Sequence, residues 1–178
     1  MKEIIVYDNF YRDPDLVRSL ALGKDFNLLG NYPGKRTDPF LTGVIKNHIS
    51  EIVGAEVTHW FDDYCGCFQV VHEGEQTWIH SDHYNDWAGV CYLHPNPPAG
   101  SGTAFYSHMG LRRPMVEDGM ESIPDPYSRD WIQTDYVENV YNRLVLYRGD
   151  LFHQATGYFG KENDLSSQRL FQVFFFNT

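Results

Sequence analysis

Two stretches in the first 55 residues place apolar side chains at the three- and four-residue spacing of an amphipathic helix. The first, "DPDLVRSLALGK", offers Asp13 as N-cap, Pro14 at the first helical position and Gly23 as a stop. The second, "LTGVIKNHISEIVG", ends at Gly54. His48 lies on its apolar face, where we interpret it as a core or interfacial histidine rather than a ligand.

From about residue 56 onward the pattern changes to short runs of β-branched and aromatic residues separated by Gly, Pro, Asn and Asp. The candidate strands are "EVTHWF", "CFQVVH", "TWIHSD", "WAGVCYLH", "TAFYSH", "NRLVLY", "LFHQAT" and "RLFQVFFF". About eight strands is the number that a jelly-roll sandwich uses. We therefore expect an α+β, mainly β fold with the helices packed on one sheet. The 178 residues suit one domain, with 1–55 as helical support and 56–178 as the jelly-roll core.

Two further stretches depart from simple alternation. The segment "LFQVFFF" near the C-terminus is apolar on both faces, which predicts a central strand covered on both sides. Residues 111–131, "LRRPMVEDGMESIPDPYSRDW", contain prolines, glycine and acids and predict a long surface loop. Loops of this length often cover a binding site.

Charge and cysteine content limit the partners and the compartment. The 14 Lys and Arg against 24 Asp and Glu give a formal net charge of -10, which argues against nucleic-acid binding. No apolar run approaches the roughly 20 residues that cross a bilayer, and no signal peptide is evident, so we expect a cytoplasmic protein without a membrane partner. Cys65, Cys67 and Cys91 fit neither a disulfide framework nor a paired zinc site and are interpreted as reduced, packed thiols. Oligomeric state is not indicated.

The segment "WIHSDHYNDW", residues 78–87, concentrates candidate metal ligands. His80 and Asp82 are two positions apart, so an extended strand would point both side chains to one face. A His-x-Asp pair arises by chance about once in a chain of this composition, so the pair alone does not specify a metal site. The alternative is a strand-end Asp that makes turn hydrogen bonds beside a half-exposed His.

Two residues far downstream change the interpretation. His153 lies 73 positions after His80 in "NRLVLYRGDLFHQAT", and Arg169 begins the apolar strand "RLFQVFFF". A lone strand histidine is more often a core residue, and an arginine at a strand start is more often solvated. Arg169, however, shares a face with Phe171 and Phe175, so a strand covered on both sides would bury its charge and require an anion.

The motifs "HSD", "WAGVCYLHPN", "GSGTAFY", "NRLVLYRGDLFHQA" and "QRLFQVFFF" together resemble the iron(II)- and 2-oxoglutarate-dependent dioxygenases, in the branch similar to prolyl 4-hydroxylases. The resemblance covers roughly residues 68–176. The segments "YDNFYRDPDLVRSLAL" and "YPGKRT" are also similar to small members from phages and marine bacteria. The resemblance implies a double-stranded β-helix, the jelly roll that the strand count suggests independently.

The resemblance assigns roles to five residues of this chain. His80, Asp82 and His153 match the catalytic residues that bind Fe(II), and Arg169 matches the basic residue that binds the 5-carboxylate of 2-oxoglutarate. Tyr92 matches a tyrosine that hydrogen-bonds the same carboxylate in some members. The chain departs from the family at one point, because 16 positions separate His153 from Arg169 and related enzymes often use fewer.

The implied reaction uses O2 and 2-oxoglutarate to hydroxylate an unactivated C–H bond, with release of succinate and CO2. The retained Asp82 favours hydroxylation over halogenation. The expected substrate is a small molecule or peptide, namely a free or peptidyl amino acid. Candidate contacts with it come from the 111–131 segment, which we expect to cover the site, and they are Arg112, Arg113, Tyr127 and Trp131. The residues that follow the metal pair are expected either to line the mouth of the site or simply to end the strand, and they are His83, Tyr84, Asn85 and Trp87.

Three alternatives stay open at this point. The first is a non-catalytic, cupin-like jelly-roll module that binds a small ligand or a protein. The second is a cupin-type metal hydrolase or isomerase, although the His-x-His pair with a further Glu and His is missing. The third is a zinc cluster formed by "HSDH" with His83, which would leave His153 unexplained.

Overall fold

A computed structural model of the protein describes residues 2–30, 32–61, 63–117 and 120–178. Within these residues the chain forms two α-helices and thirteen β-strands. The helices are α1 (Pro14–Leu22) and α2 (Gly43–Val53). The strands are β1 (Ile4–Tyr7), β2 (Leu28–Leu29), β3 (Lys35–Arg36), β4 (His59–Trp60), β5 (Phe68–Val71), β6 (Trp87–Tyr92), β7 (Thr103–His108), β8 (Met115–Glu117), β9 (Met120–Ser122), β10 (Trp131–Val137), β11 (Leu144–Arg148), β12 (His153–Ala155) and β13 (Arg169–Asn177). A short 3-10 turn, Leu165–Ser167, precedes β13.

Local capping explains where both helices begin and end. At the start of α1 the Asp13 carboxylate accepts a hydrogen bond from the Leu16 amide at 3.0 Å. At the start of α2 the Thr42 hydroxyl accepts one from the Ile45 amide at 3.3 Å. Gly54 ends α2 in the left-handed region at φ 75°. Both predicted helices are confirmed. Within the described ranges, no helix is long and apolar enough to cross a membrane.

The larger sheet is antiparallel and has the order β1-β11-β6-β13-β5-β3-β2, with β4 paired to the end of β13. The predicted central position of the last strand is confirmed, because β13 lies between β6 and β5 and is almost entirely buried. Ala21 of α1 and Ile49 of α2 pack against Phe174 and Phe176 of β13. The helices therefore cover one face of this sheet, called here the outer face.

The smaller sheet, β10-β7-β12, lies against the opposite, inner face. Phe105 of β7 packs in one cluster with Val145 and Val173 of the larger sheet. The Tyr92 hydroxyl and the Thr103 hydroxyl, 2.7 Å apart, form a hydrogen bond between the two sheets. The fold is thus mainly β with antiparallel sheets, as the sequence predicts.

Several elements differ from the sequence-based expectation. The segment "TWIHSD" is not a strand and joins the sheets through an isolated bridge between His80 and His153. The first 55 residues are not only helical, because β1, β2 and β3 extend the larger sheet. Strand β10 was also not predicted. Strands β1, β3 and β10 are short or lie at sheet edges, and each pairs with a strand distant in sequence, on which its formation depends.

The segment 111–131 is not a loop throughout. It contains the hairpin β8–β9, with Met115 opposite Ser122, and the first residue of β10. Residues 118 and 119 lie outside the described residues. Cys65, Cys67 and Cys91 are buried and free, as predicted.

Gln172 is a fully buried polar residue on β13, and its side chain is fully used in hydrogen bonds. Its Nε2 donates to the carbonyls of Phe40 and Gly66, each at 2.8 Å. Its Oε1 accepts a hydrogen bond from the Tyr11 hydroxyl. The residue thereby connects the central strand to the chain before α2 and to the N-terminal segment.

We expect Gln172→Leu to lower the free energy of unfolding by about 2 to 3 kcal/mol, because it leaves buried carbonyls and a hydroxyl without partners. Urea denaturation followed by circular dichroism measures this loss. Gln133→Leu on the exposed strand β10 is the control and should change stability by less than about 0.5 kcal/mol. Equal effects of the two substitutions would contradict the role assigned to Gln172.

Candidate metal centre and its cavity

The structure brings His80, Asp82 and His153 together, although the first and last are far apart in sequence. His80 and His153 exchange two backbone hydrogen bonds, of 3.0 and 2.9 Å, in the isolated bridge. One potential ligand atom from each of the three residues lies within 4.8 Å of the others. The Nε2 atom of His153 is 3.3 Å from an Asp82 carboxylate oxygen. The three side chains thus form a compact group with the dimensions of a metal site.

Hydrogen bonds to backbone carbonyls fix the tautomers of both imidazoles. The Nδ1 atom of His80 is 3.1 Å from the Trp78 carbonyl, and that of His153 is 2.9 Å from the Leu151 carbonyl. A carbonyl oxygen only accepts, so Nδ1 carries the proton in each ring and donates it. In the neutral ring Nε2 then carries the lone pair, which is how a ligating histidine is oriented by its second nitrogen.

The electrostatics of the group favour a bound cation. Burial, together with the nearby His153, lowers the pKa of His80 to about 4, so this ring is neutral at physiological pH. Burial acts to raise the pKa of Asp82, but the adjacent imidazoles outweigh burial and keep that pKa below its usual value. The Nε2 atom of His153 and the Asp82 carboxylate face each other at 3.3 Å, and two imidazoles with one carboxylate suit a transition-metal ion.

The three residues open on a cavity of about 260 Å³ between the sheets. The inner face of β13 forms one wall with Phe171, Val173 and Phe175, the face that alternation along this strand predicts. The other lining residues are Tyr32, Arg36, Tyr64, Gln69, Trp78, Ser81, Tyr84, Asn85, Gly89, Val90, Thr103, Tyr147, Ala155 and Arg169. Of the lining side chains that the structure describes, seven are Phe, Tyr or Trp, and two are arginines.

Arg169 is 1% exposed and lines the same cavity. Its two terminal nitrogens donate to the carbonyls of Thr156 at 3.1 Å and Gly102 at 3.0 Å, while its Nε has no hydrogen-bond partner. Its guanidinium carbon lies 5.6 Å from the centre of the Tyr92 ring. Among the described residues no carboxylate forms an ion pair with it. Such a buried charge is costly unless an anion joins it.

Tyr92 lies beside Arg169 rather than on the cavity wall. Its hydroxyl is bonded to Thr103 at 2.7 Å, and burial raises its pKa despite the nearby Arg169 charge. The geometry gives Tyr92 a supporting contact with the guanidinium. Its predicted hydrogen bond to a ligand carboxylate stays a prediction.

The residues around His80 and Asp82 divide into wall and core. Tyr84 and Asn85 line the cavity, whereas Trp87 packs in the outer-face core near Phe176. His83 contacts Ser81 and Tyr84 and does not belong to the ligand group. The rim role expected for Trp87 is therefore wrong, because the chain has already entered β6 and points this ring to the outer face.

The expected contacts from the 111–131 segment are not found at the cavity. Arg112 pairs with Glu3 at 3.0 Å and Asp135 at 2.7 Å, and Arg113 pairs with Glu3 and with Asp150 at 2.9 Å. None of the described residues of this segment lines the cavity, Tyr127 and Trp131 included. Both arginines instead hold Glu3, next to β1, through partly exposed ion pairs, and join it to Asp135 of β10 and to Asp150 in the turn before β12.

Sequence reasoning missed the cavity residues from the N-terminal segment, namely Tyr32 and Arg36. The Tyr32 ring centre is 4.4 Å from that of His80, and Arg36 is 5% exposed. The one sequence signal for these residues was the motif "YPGKRT". Its Pro-Gly turn precedes the arginine, which lies in the short strand β3. Nothing local in that motif shows that the arginine is buried.

Comparison with known proteins gives a likeness in structure. No protein-family profile and no curated protein matches the sequence. The fold is similar to that of a prolyl-4-hydroxylase from Pseudomonas putida, with a TM-score of 0.58 and 15% identity over 99% of this chain and 93% of the other. It is also similar to TqaL, an Fe(II)/α-ketoglutarate-dependent dioxygenase, with a TM-score of 0.50 and 12% identity over 99% and 83%. The chain therefore shares the fold of these two enzymes.

We expect the purified chain to bind one Co(II) ion, with affinity that falls roughly a hundredfold or more in His153→Ala and in Asp82→Ala. The reason is that each substitution removes one of three ligands. Calorimetric titration of the metal-free protein measures the affinity. His48→Ala is the control, because His48 stacks on Phe10 outside the cavity, and it should bind Co(II) as the unmodified chain does. Undiminished binding in both ligand variants would disprove the site.

Proposed function

We propose that this protein is an Fe(II)- and 2-oxoglutarate-dependent dioxygenase. It hydroxylates an unactivated C–H bond of an amino acid, free or within a peptide, and releases succinate and CO2. One observation carries the proposal, which is that a single cavity contains both the His80, Asp82 and His153 group and the buried, unpaired charge of Arg169. A metal site and an anion site in one apolar cavity suit a cosubstrate that binds through both of its ends.

The ligand group fits iron. Two Nε2 lone pairs and one carboxylate form the 2-His-1-carboxylate set that non-haem Fe(II) oxygenases use, with positions left open for further ligands. Iron bound there would supply oxygen activation coupled to decarboxylation of 2-oxoglutarate. The protein contributes the orientation of the two rings through the carbonyls of Trp78 and Leu151.

Arg169 fits the far carboxylate of 2-oxoglutarate. Its guanidinium bonds to the carbonyl of Thr156, three residues after His153 in the chain, so the charge lies along β12 from the metal group. Its unpartnered Nε and its remaining N–H groups are available to an anion. In a buried setting, a charge-assisted bond from a planar guanidinium fixes both the position and the direction of a carboxylate.

The apolar side chains of β13 would support the reaction by limiting the access of water to their side of the cavity. Phe171, Val173 and Phe175 lie on one strand between Arg169 and the end of β13. A dry wall strengthens the electrostatic contacts in the cavity and limits side reactions. The two antiparallel sheets and the likeness to two dioxygenase folds support a double-stranded β-helix.

Anaerobic addition of Fe(II) and then 2-oxoglutarate tests the proposal. We expect a visible metal-to-cosubstrate charge-transfer band in the native chain, and none in His153→Ala, which lacks one ligand. In air the native chain should also form succinate slowly without a substrate. The absence of both signals would reject the enzyme and favour a non-catalytic binding module.

A separate test of Arg169 compares two ligands that differ in the presence of the far carboxylate. We expect native protein to bind 2-oxoglutarate at least roughly tenfold more tightly than 2-oxopentanoate, which lacks the far carboxylate. Arg169→Gln should abolish that difference and leave the affinity for Co(II) unchanged. Calorimetry on the Co(II)-loaded proteins gives both affinities, and Arg169→Met, which also removes the charge, serves if the Gln variant does not fold. A preference retained by the variant would exclude Arg169 as the carboxylate ligand.

A further inference from the structure

A second arginine on the cavity wall forms no ion pair with any carboxylate of the described residues. Arg36 of β3 is 5% exposed and lines the same cavity as the metal group. Its terminal nitrogens donate to backbone carbonyls, of Tyr32 at 3.1 Å and Gly34 at 3.4 Å, and its guanidinium carbon lies 5.0 Å from the Tyr64 ring centre. These partners hold the group in place and do not neutralise its charge.

The contrast with other arginines shows that this burial is unusual. Arg112, Arg113 and Arg143 are partly exposed, and each pairs with a carboxylate. Among the described residues, Arg36 and Arg169 are the arginines counted as buried, and neither forms an ion pair. The favourable electrostatic contributions to Arg36 come first from Tyr64 and least from Glu75, the one carboxylate among them, which is itself bonded to the His72 amide at 2.8 Å. Burial lowers the pKa of Arg36, as expected for an uncompensated charge.

Strand pairing places Arg36 on the same face of the larger sheet as the aromatic residues of β13. Arg36 is in register with Gln69 of β5, and Gln69 is in register with Phe171 of β13. Directly paired residues point to the same face of a sheet, so these three side chains form one row along the cavity. Arg169 lies two residues before Phe171 on β13 and therefore occupies a neighbouring row.

Arg36 is also connected to the metal group through Tyr32. The Tyr32 carbonyl accepts a hydrogen bond from Arg36, and the Tyr32 ring lies 4.4 Å from the His80 ring, centre to centre. The segment that carries both residues therefore contacts the metal group at one end and presents a cation at the other. A ligand that contacts Arg36 would be held close to the reacting centre.

We propose that Arg36 binds a carboxylate of the substrate, so that the substrate is a free amino acid or a comparably small carboxylic acid rather than an interior residue of a peptide. The inference rests on the proposed function, which commits Arg169 to 2-oxoglutarate. An interior peptide residue presents a neutral amide where a free amino acid presents its carboxylate. A peptide substrate would therefore leave the buried guanidinium of Arg36 without a counter-ion, which is costly.

The size of the cavity agrees with this substrate class. Its volume of about 260 Å³ lies below the roughly 300 Å³ at which pockets for drug-sized ligands begin. Two small acids, the cosubstrate and the substrate, match such a space better than a chain segment with several side chains. The aromatic rings of Tyr32, Tyr64 and Trp78 then offer apolar contact to the remainder of the substrate.

The experiment compares acids with their amides as binding probes. The protein is loaded with diamagnetic Zn(II) and mixed with the proteinogenic L-amino acids, or with the same amino acids as carboxamides, with and without saturating 2-oxoglutarate. Ligand-observed saturation-transfer NMR identifies which compounds bind, and titration gives their affinities. We expect one or a few free amino acids to bind the native protein and their carboxamides to bind roughly tenfold more weakly or not at all.

Three variants locate the effect at Arg36. Arg36→Gln should weaken binding of the free acid by roughly tenfold or more, and Arg36→Lys, which keeps the charge, should weaken it less. Arg18→Gln is the matched control, because Arg18 also donates to two carbonyls, of Leu93 and Ser166, but does not line the cavity. It should leave binding unchanged. Affinity for 2-oxoglutarate should stay within about twofold in all three variants.

Each contrary outcome has a separate meaning. Equal binding of acids and carboxamides, no binding of any free acid, or full binding by Arg36→Gln would overturn the assignment of Arg36. A loss of 2-oxoglutarate affinity in Arg36→Gln would also overturn it, since Arg36 would then serve the cosubstrate. Failure of the native protein to bind 2-oxoglutarate would reject the proposed function, while the comparison without 2-oxoglutarate would still decide whether Arg36 binds a carboxylate. If Arg36→Gln does not fold, Arg36→Lys and the comparison of acid with amide on native protein carry the decision.

Discussion

Two backbone hydrogen bonds between His80 and His153 hold the candidate metal centre together. In an antiparallel pair that exchanges both bonds, the two side chains stand on the same face and close to each other. A third backbone hydrogen bond positions Asp82, because its amide donates to the Gly149 carbonyl at 2.7 Å. A Cβ at Gly149 would lie 2.7 Å from the Asp82 carbonyl oxygen, so glycine permits this close approach. The backbone therefore positions the ligands, and the carbonyls behind each imidazole orient them.

The central strand β13 contributes Arg169 and the apolar side chains that face the cavity. Its apolar side chains on the outer face bind the helices, and its inner face carries Arg169 and the aromatic wall. The guanidinium also bonds across the cavity to the carbonyls of Thr156 and Gly102, beside the smaller sheet. An apolar residue would avoid the desolvation of this charge, so stability alone does not account for an arginine there. The anion binding proposed for Arg169 would account for it.

Sequence patterns predicted the parts of the structure that local or strictly periodic features determine. Both helices have their own caps, and β13 is apolar on both faces, so each could be identified without its neighbours. The edge strands β1 and β10 could not, because their partners are distant in sequence. For the site, the spacing of His80 and Asp82 and the resemblance indicated the metal group. Arg36 was missed because its burial depends on how the segment before β3 packs over the cavity.

The charges of the cavity give the two proposals a common physical basis. The chain carries a net charge of -10, which does not attract anions over long distances, and salt screens such effects beyond about 10 Å. Attraction must therefore act within the cavity. A divalent ion, Asp82 and two guanidiniums leave three positive charges, which a 2-oxoglutarate dianion and one substrate carboxylate would balance. The ammonium group of a free amino acid would then be the one charge left over. It would face an exposed part of the cavity wall, such as Tyr84, which is 79% exposed, because water can solvate it there.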